Sequence, residues 1–188
     1  MRDERAIRMR FVSGRGHYET VVQAVRDAKV SVWIATANLK EMLVEDELQM
    51  PGRRKSYRSV LATLDRLAGR GVELRMLHAA MPSGPFRASF DDHPRLVSGG
   101  LEMRLCPRVH LKCVIVDGRT LYLGSANWTG AGLGAKGDRN RNFELGFVTE
   151  DETLLDEVQG LYDHLWRGGE CAGCGRRELC EAPLDGKA

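Results

Sequence analysis

The sequence predicts an α/β domain, and two observations carry that expectation. Strand-length apolar runs alternate along the chain with segments that repeat apolar residues at helical spacing. Within this alternation, residues 110–127 hold two apolar runs, Leu111 to Val116 and Leu121 to Leu123, around Asp117 and Gly118. That pattern reads as strand, tight turn, strand.

Taken in order, Ile7, Met9 and Phe11 alternate as a short edge strand, while residues 1–10 lead in. Val21, Val22 and Val25 place a helix over 18–28, and the β-branched run 30–37 is a strand. A helix is expected around 39–48. Residues 51–58 break the composition with Arg53, Arg54, Lys55, Tyr57 and Arg58, on a loop that leads into a helix. Val60, Leu61, Leu64 and Leu67 give the helix over 59–68, and Gly69 and Gly71 stop it. Residues 72–77 form a strand. Residues 79–98, rich in Pro, Gly and Asp, are expected to be irregular, and loops of that length are often functional. His78 and His93 lie beside or within this segment; lone histidines of this kind are usually structural. Residues 101–105 and 142–149 complete the strands, separated by the motif and a Gly-rich loop over 128–140. The final helix, 151–166, carries Leu154, Leu155, Val158, Leu161 and Leu165 on one stripe.

The 188 residues suffice for one domain with a real core. A hydrophobic share of 43% and a net charge of only +2 exclude a disordered chain and a global basic field, so nucleic-acid binding has to rest on a local patch. No apolar run reaches the ~18 residues of a membrane span, and the charged first ten residues hold no signal-peptide core. The expectation is a cytoplasmic protein. Five cysteines, an odd number, argue against a complete disulfide framework.

Alternation along the strand puts His110 and Lys112 on one face and Asp117 on the other. Ser125 and Asn127 follow Gly124 in a turn that brings a hydroxyl and an amide back to the same spot. A nitrogen nucleophile or base, a fixed positive charge, a hydroxyl and an amide together suit a phosphate. The spacing H-x-K-x4-D-x6-G-S-x-N, from His110 through Asp117 to Asn127, resembles the signature of the phospholipase D superfamily. The resemblance covers residues 11–168 and is nearest to the small bacterial endonucleases that carry one copy of the motif.

That resemblance implies a phospholipase D-like domain with a mixed β-sheet flanked by helices. It also implies a homodimer, since one chain supplies one motif where two are needed. Carried over by position, His110 attacks phosphorus to form a phosphohistidine, and the partner's His110 protonates the leaving oxygen and then activates water. Lys112 and Asn127 hold the phosphate oxygens, Ser125 assists, and Glu144 matches the carboxylate that orients the imidazole. Asp117 and Gly124 are structural members of the motif, and no metal is needed for the chemistry. The chain departs from the family in the basic segment at 53–55 and in its tail.

In that tail, residues 169–188, Cys171, Cys174 and Cys180 form a zinc or iron–sulfur half-site one ligand short, or three reduced thiols. His164, Cys106 or a partner chain are the candidates for a fourth ligand, and Cys113 is a core residue. Three functions remain open. A nuclease is favoured by Arg53, Arg54, Lys55, Arg58 and Arg141 together with Arg104, Arg108, Lys136 and Arg139. The alternatives are a phospholipase D-type phospholipid hydrolase and a non-catalytic nucleic-acid-binding module.

Overall fold

The computed structural model describes residues 4–46 and 56–186. Its centre is a seven-stranded sheet in the order β1-β9-β8-β7-β2-β5-β6. The strands are β1 (Arg10–Ser13), β2 (Ser31–Thr36), β5 (Glu73–His78), β6 (Glu102–Leu105), β7 (Cys113–Val116), β8 (Thr120–Gly124) and β9 (Leu145–Thr149). β2, β5 and β6 run parallel, and β7, β8, β9 and β1 are antiparallel to their neighbours, so the sheet is mixed.

The β-branched runs form the central strands because both of their faces are covered. On one face Val32, Ile34, Met76 and Val114 pack against Val21, Val22 and Val25 of the helical segment Tyr18–Val22 and α1 (Gln23–Asp27), and against Leu61, Leu64 and Leu67 of α2 (Val60–Ala68). Ser59 starts α2 by accepting the Leu61 N–H at 3.0 Å. On the other face Ala35, Leu77, Ile115 and Leu121 meet α4 (Glu152–Trp166), which Asp151 caps through the Leu154 N–H. The buried ridge of α4 is Leu155, Tyr162 and Trp166. Leu161, expected on that stripe, stays exposed, because the Trp33, Tyr162 and Trp166 rings stack at 5.3 and 5.9 Å and turn the helix onto its aromatic side.

Two further expectations give way. In place of a helix around 39–48, Leu39 bridges Trp128, and β3 (Leu43–Glu45) pairs with β4 (Tyr57–Ser59). Hydrogen bonds from Lys40 N to Trp128 O and from Ser83 N to Leu39 O hold this stretch extended. Within 79–98, α3 (Gly84–Asp91) forms behind an N-cap Ser83 with Pro85 in its first turn and Phe86 buried. Turn-rich composition concealed a helix start. Among the described residues no helix is long and apolar enough to cross a membrane.

The β7–β8 turn has positive φ at both central residues, Asp117 (55°) and Gly118 (60°), as a type I′ hairpin requires. The Asp117 carboxylate accepts the N–H groups of Lys29, Val30 and Ser31 at 2.7–3.0 Å, tying the hairpin to the entry of β2. Burial opposes its ionisation, but the three N–H donors and nearby Arg119 outweigh burial and hold the carboxyl below its ordinary value. A depressed folded pKa means the stabilisation is present above about pH 4 and is lost as pH falls through the folded value. Asn tolerates the same backbone. Asp117→Asn is therefore expected to cost about 2 kcal/mol in urea unfolding at neutral pH, with the gap to wild type narrowing below about pH 4.

Candidate active site

The ends of β2, β5, β6 and β8 and the starts of β7 and β9 meet at one end of the sheet, and the motif side chains gather there. His110 emerges exposed from a turn, with Val109 N bonded to Cys106 O at 2.9 Å and Cys106 N bonded to the carbonyl of His78 at 2.8 Å. Buried Val109 anchors that turn in the core beneath α4. Lys112 Nζ lies 3.1 and 3.2 Å from the two His110 ring nitrogens and donates to the His110 carbonyl at 2.9 Å. Burial lowers the Lys112 pKa, and the Glu144 charge acts the other way.

Asn127 reaches the end of β2. Its Oδ1 accepts the N–H groups of Ala37 and Asn38, both at 3.1 Å, and lies 3.3 Å from Thr36 Oγ1. Thr36 Oγ1 in turn accepts the Trp128 N–H at 3.0 Å. With the oxygen so occupied, the amide NH₂ is the half of Asn127 left for an anion. Thr36 and the Ala37–Asn38 backbone are the parts of the site that the motif does not spell out. The apolar strand 30–37 ending at Asn38 is the only sequence signal for them.

Ser125 Oγ donates to Glu144 Oε2 and accepts the Leu145 N–H at 3.1 Å, while Asn142 Nδ2 donates to Glu144 Oε1 at 3.0 Å. Glu144 thus joins the site through Ser125 and through its charge on Lys112. Its hydrogen bonds go to Ser125 and Asn142, whereas the resemblance assigns it to the imidazole; the approach of Ser125 satisfies the carboxylate first. Gly124 is required by packing, since a Cβ there would strike the Tyr122 hydroxyl and would lie 2.6 Å from the Leu145 carbonyl oxygen.

The expected basic patch is only partly at hand. Arg53, Arg54 and Lys55 lie outside the described residues. Arg58 pairs with Asp46 at 2.7 Å, and Arg141 pairs with Asp138. Arg104 turns inward to the carbonyls of Trp166 and Leu184 and over the Trp166 ring. Lys136, Arg139 and a fully exposed Phe143 remain on the surface of the loop that leads to Glu144.

Beside His110 opens a cavity of about 660 Å³, walled by Leu105, Leu111, Leu161, Leu165, Leu179 and Leu184 and by the tail. Cys171, Cys174 and Cys180 line it as free thiols. The expected half-site does not form, with or without Cys106 or His164: among the described residues no three His, Cys, Asp or Glu groups are placed to hold a metal ion. Arginines stand among the thiols instead. The Arg176 backbone N–H, and then Arg108, pull the Cys174 thiol below its ordinary pKa. Cys113 is buried in the core, and burial pushes its thiol up to about 12.

The family described as "Cardiolipin synthase, PLD-like domain" matches residues 21–166. No curated protein matches the sequence. Among solved structures the chain is similar to NucT from Helicobacter pylori, at 15% identity and a TM-score of 0.59, covering 84% of this chain and 94% of that one. It is also similar to Nuc from Salmonella typhimurium, a phospholipase D family member, at 18% identity and a TM-score of 0.60, covering 85% and 95%. TrmBL2, an archaeal chromatin protein described with a novel mode of DNA binding, aligns at 14% identity and a TM-score of 0.56, over 88% of this chain and 54% of that one. At these identities the likeness is one of fold.

Lys112 is expected to titrate below the ordinary lysine range in an NMR titration of the ¹³C-methylated protein. In Glu144→Gln its midpoint is expected to fall further, because the carboxylate that favours the ammonium is gone.

Proposed function

The chain belongs to the phospholipase D-like family, and from that membership we propose that it is a phosphodiesterase that works through a phosphohistidine, with nucleic acid as its substrate. The observation that carries this is the gathering of His110, Lys112, Ser125 and Asn127 at one end of the sheet, with the Lys112 ammonium 3.1 Å from the imidazole. In the first step a His110 nitrogen bonds to phosphorus as the P–O bond to the leaving group breaks, and the partner's His110 gives the leaving oxygen its proton. In the second, water attacks phosphorus, the partner's His110 takes a water proton, and the P–N bond breaks. Lys112 and the Asn127 NH₂ stabilise the equatorial oxygens, a role that metal ions fill in other phosphoryl-transfer sites. Ser125 links Glu144 to that oxygen site.

Nucleic acid is supported by the exposed Lys136 and Arg139 for backbone phosphates and by Phe143, one residue before Glu144, for stacking on a base. The DNA binding named for TrmBL2 fits the same use of the fold. A second reading, phospholipid hydrolysis, is favoured by one observation: the cavity beside His110 is walled by aliphatic side chains and rimmed by arginines.

Hydrolysis of bis-p-nitrophenyl phosphate in EDTA is expected for the wild type and not for His110→Ala, with a loss of at least about 10³-fold. Oligonucleotide binding retained by an inert wild type would instead identify a non-catalytic module. A panel of single-stranded DNA, double-stranded DNA, RNA and phosphatidylcholine separates the substrate classes. Excess His110→Ala subunits exchanged into the wild type are expected to lower activity in proportion to mixed dimer formed. A fully active monomer in sedimentation overturns the shared site.

A further inference from the structure

Cys171 and Cys174 stand at the two ends of one turn. The Cys174 N–H donates to the Cys171 carbonyl at 3.2 Å and closes it. The Cα atoms at the ends of such a turn lie within about 7 Å of each other, and a disulfide spans about 4.4–6.8 Å between Cα atoms. The chain thus holds these two thiols within reach of a disulfide that leaves the turn intact. Both are free and half-exposed, and both line the cavity that reaches His110. Ala172 and Gly173 between them carry almost no side chain, and space is open beside Gly173 and Gly175.

The two sulfurs are not equivalent. The Arg176 backbone N–H and the Arg108 guanidinium face Cys174 and favour its thiolate. Glu170 also acts on Arg108, but it is itself paired with His164 at 2.9 Å. Arg177, fixed by Asp185 at 2.8 Å, acts on Cys171 and Cys180. The turns that hold Cys106 and Cys180 end on Val109 and Arg177, so neither brings a second cysteine. Cys113 is buried in the core under α4 and takes no part.

We propose that Cys171 and Cys174 are a dithiol–disulfide couple, in which Cys174 attacks and Cys171 resolves, and that its oxidant is a small disulfide of the glutathione type. The Cys174 thiolate bonds to one sulfur of the small disulfide as that S–S bond breaks, and a first thiolate leaves. Cys171, having given its proton to solvent, bonds to the Cys174 sulfur, and the second thiolate leaves. The pair gives up two electrons, the small disulfide takes them, and the released thiolates take up protons. Closing the ring removes the thiolate that faces Arg108, which lies two residues before His110. The couple therefore sets the charge on the cavity wall beside the candidate active site. The inference is independent of the phosphodiesterase reading, because it concerns thiol content and not hydrolysis.

The test is peptide mapping of the full chain after equilibration in glutathione buffers, acid quenching and alkylation. Trypsin cuts after Arg167 and Arg176, so residues 168–176 carry both cysteines, and Cys106 and Cys180 fall on other peptides. The 168–176 peptide is expected to lose a pair of hydrogen atoms and to resist alkylation as the buffer is made more oxidising. Cys171→Ser is expected to leave glutathione attached at position 174. Cys174→Ser is expected to slow the reaction of this peptide roughly tenfold at about pH 7, and Arg108→Gln roughly threefold. Cys180→Ser is expected to change neither result. If a variant fails to fold, the wild-type map decides alone. A 168–176 peptide that stays fully alkylated in every buffer overturns the proposal. So do a glutathione adduct that persists on the wild type and a disulfide joining this peptide to that of Cys106 or Cys180.

Discussion

Strand β2 is closed at both ends by side chains of the motif, and the position of everything else at the site follows from that. Backbone N–H groups need partners, and at the ends of a central strand no neighbouring strand supplies them. At the entry of β2 the Asp117 carboxylate accepts three such amides, from Lys29 to Ser31. Past its exit the Asn127 oxygen accepts two more, from Ala37 and Asn38. The two residues come from opposite ends of the β7–β8 hairpin, so the hairpin is locked along β2 in a single register. His110 and Lys112 lead into β7, and their height relative to Asn127 is set by that register.

Packing beneath the site imposes a second constraint. Tyr122 stands in the core with its hydroxyl 3.1 Å from His17 Nδ1, and a Cβ on Gly124 or Gly146 would run into its side chain. Two glycines on neighbouring strands therefore let β8 and β9 pass the tyrosine. Ser125 and Glu144 flank that passage, which is why a serine after one strand and a carboxylate before the next are within hydrogen-bonding reach. Burial raises the Tyr122 pKa to about 12, so the phenol stays neutral and serves the packing.

What was legible in the sequence divides along the same physical lines. Strands 30–37, 72–77, 101–105 and 142–149 and the hairpin were legible because buried strands need runs of β-branched and aliphatic residues. His110, Lys112, Ser125 and Asn127 were legible because their chemistry depends on residue type and spacing. The extended path of 39–45 was not, since it is set by hydrogen bonds to Trp128 and Ser83, far away in sequence. The stripe of α4 was legible at Leu154, Leu155, Val158 and Leu165, which pack on the core; the exposure of Leu161 was not, because Tyr162 and Trp166 add a stacked aromatic ridge that leucine spacing does not reveal. Glu144 was legible as a member of the site but its partner was not, because proximity to Ser125 arises from the pairing of β8 with β9.

On the proposed phosphohistidine route, the histidines of the chain decide where a second imidazole would come from. Displacement through a phosphohistidine needs a nucleophile on one side of phosphorus and, opposite it, a group that first gives and then takes a proton. The chain has five histidines, and four are otherwise engaged. His17 is buried against Tyr122, and His78 is buried with Nδ1 on the Ala80 carbonyl, its pKa lowered by desolvation. His93 is bonded to the Ser89 carbonyl and His164 to Glu170. His110 stands exposed beside the Lys112 ammonium. A second imidazole facing it is most simply the same residue from a second copy, and a two-fold axis near His110 supplies a second Lys112 and Asn127 in the same step. Under the proposed mechanism the need for symmetry would come from the chemistry of proton transfer, and the exposure of His110 at the end of the sheet leaves room for a second copy to approach.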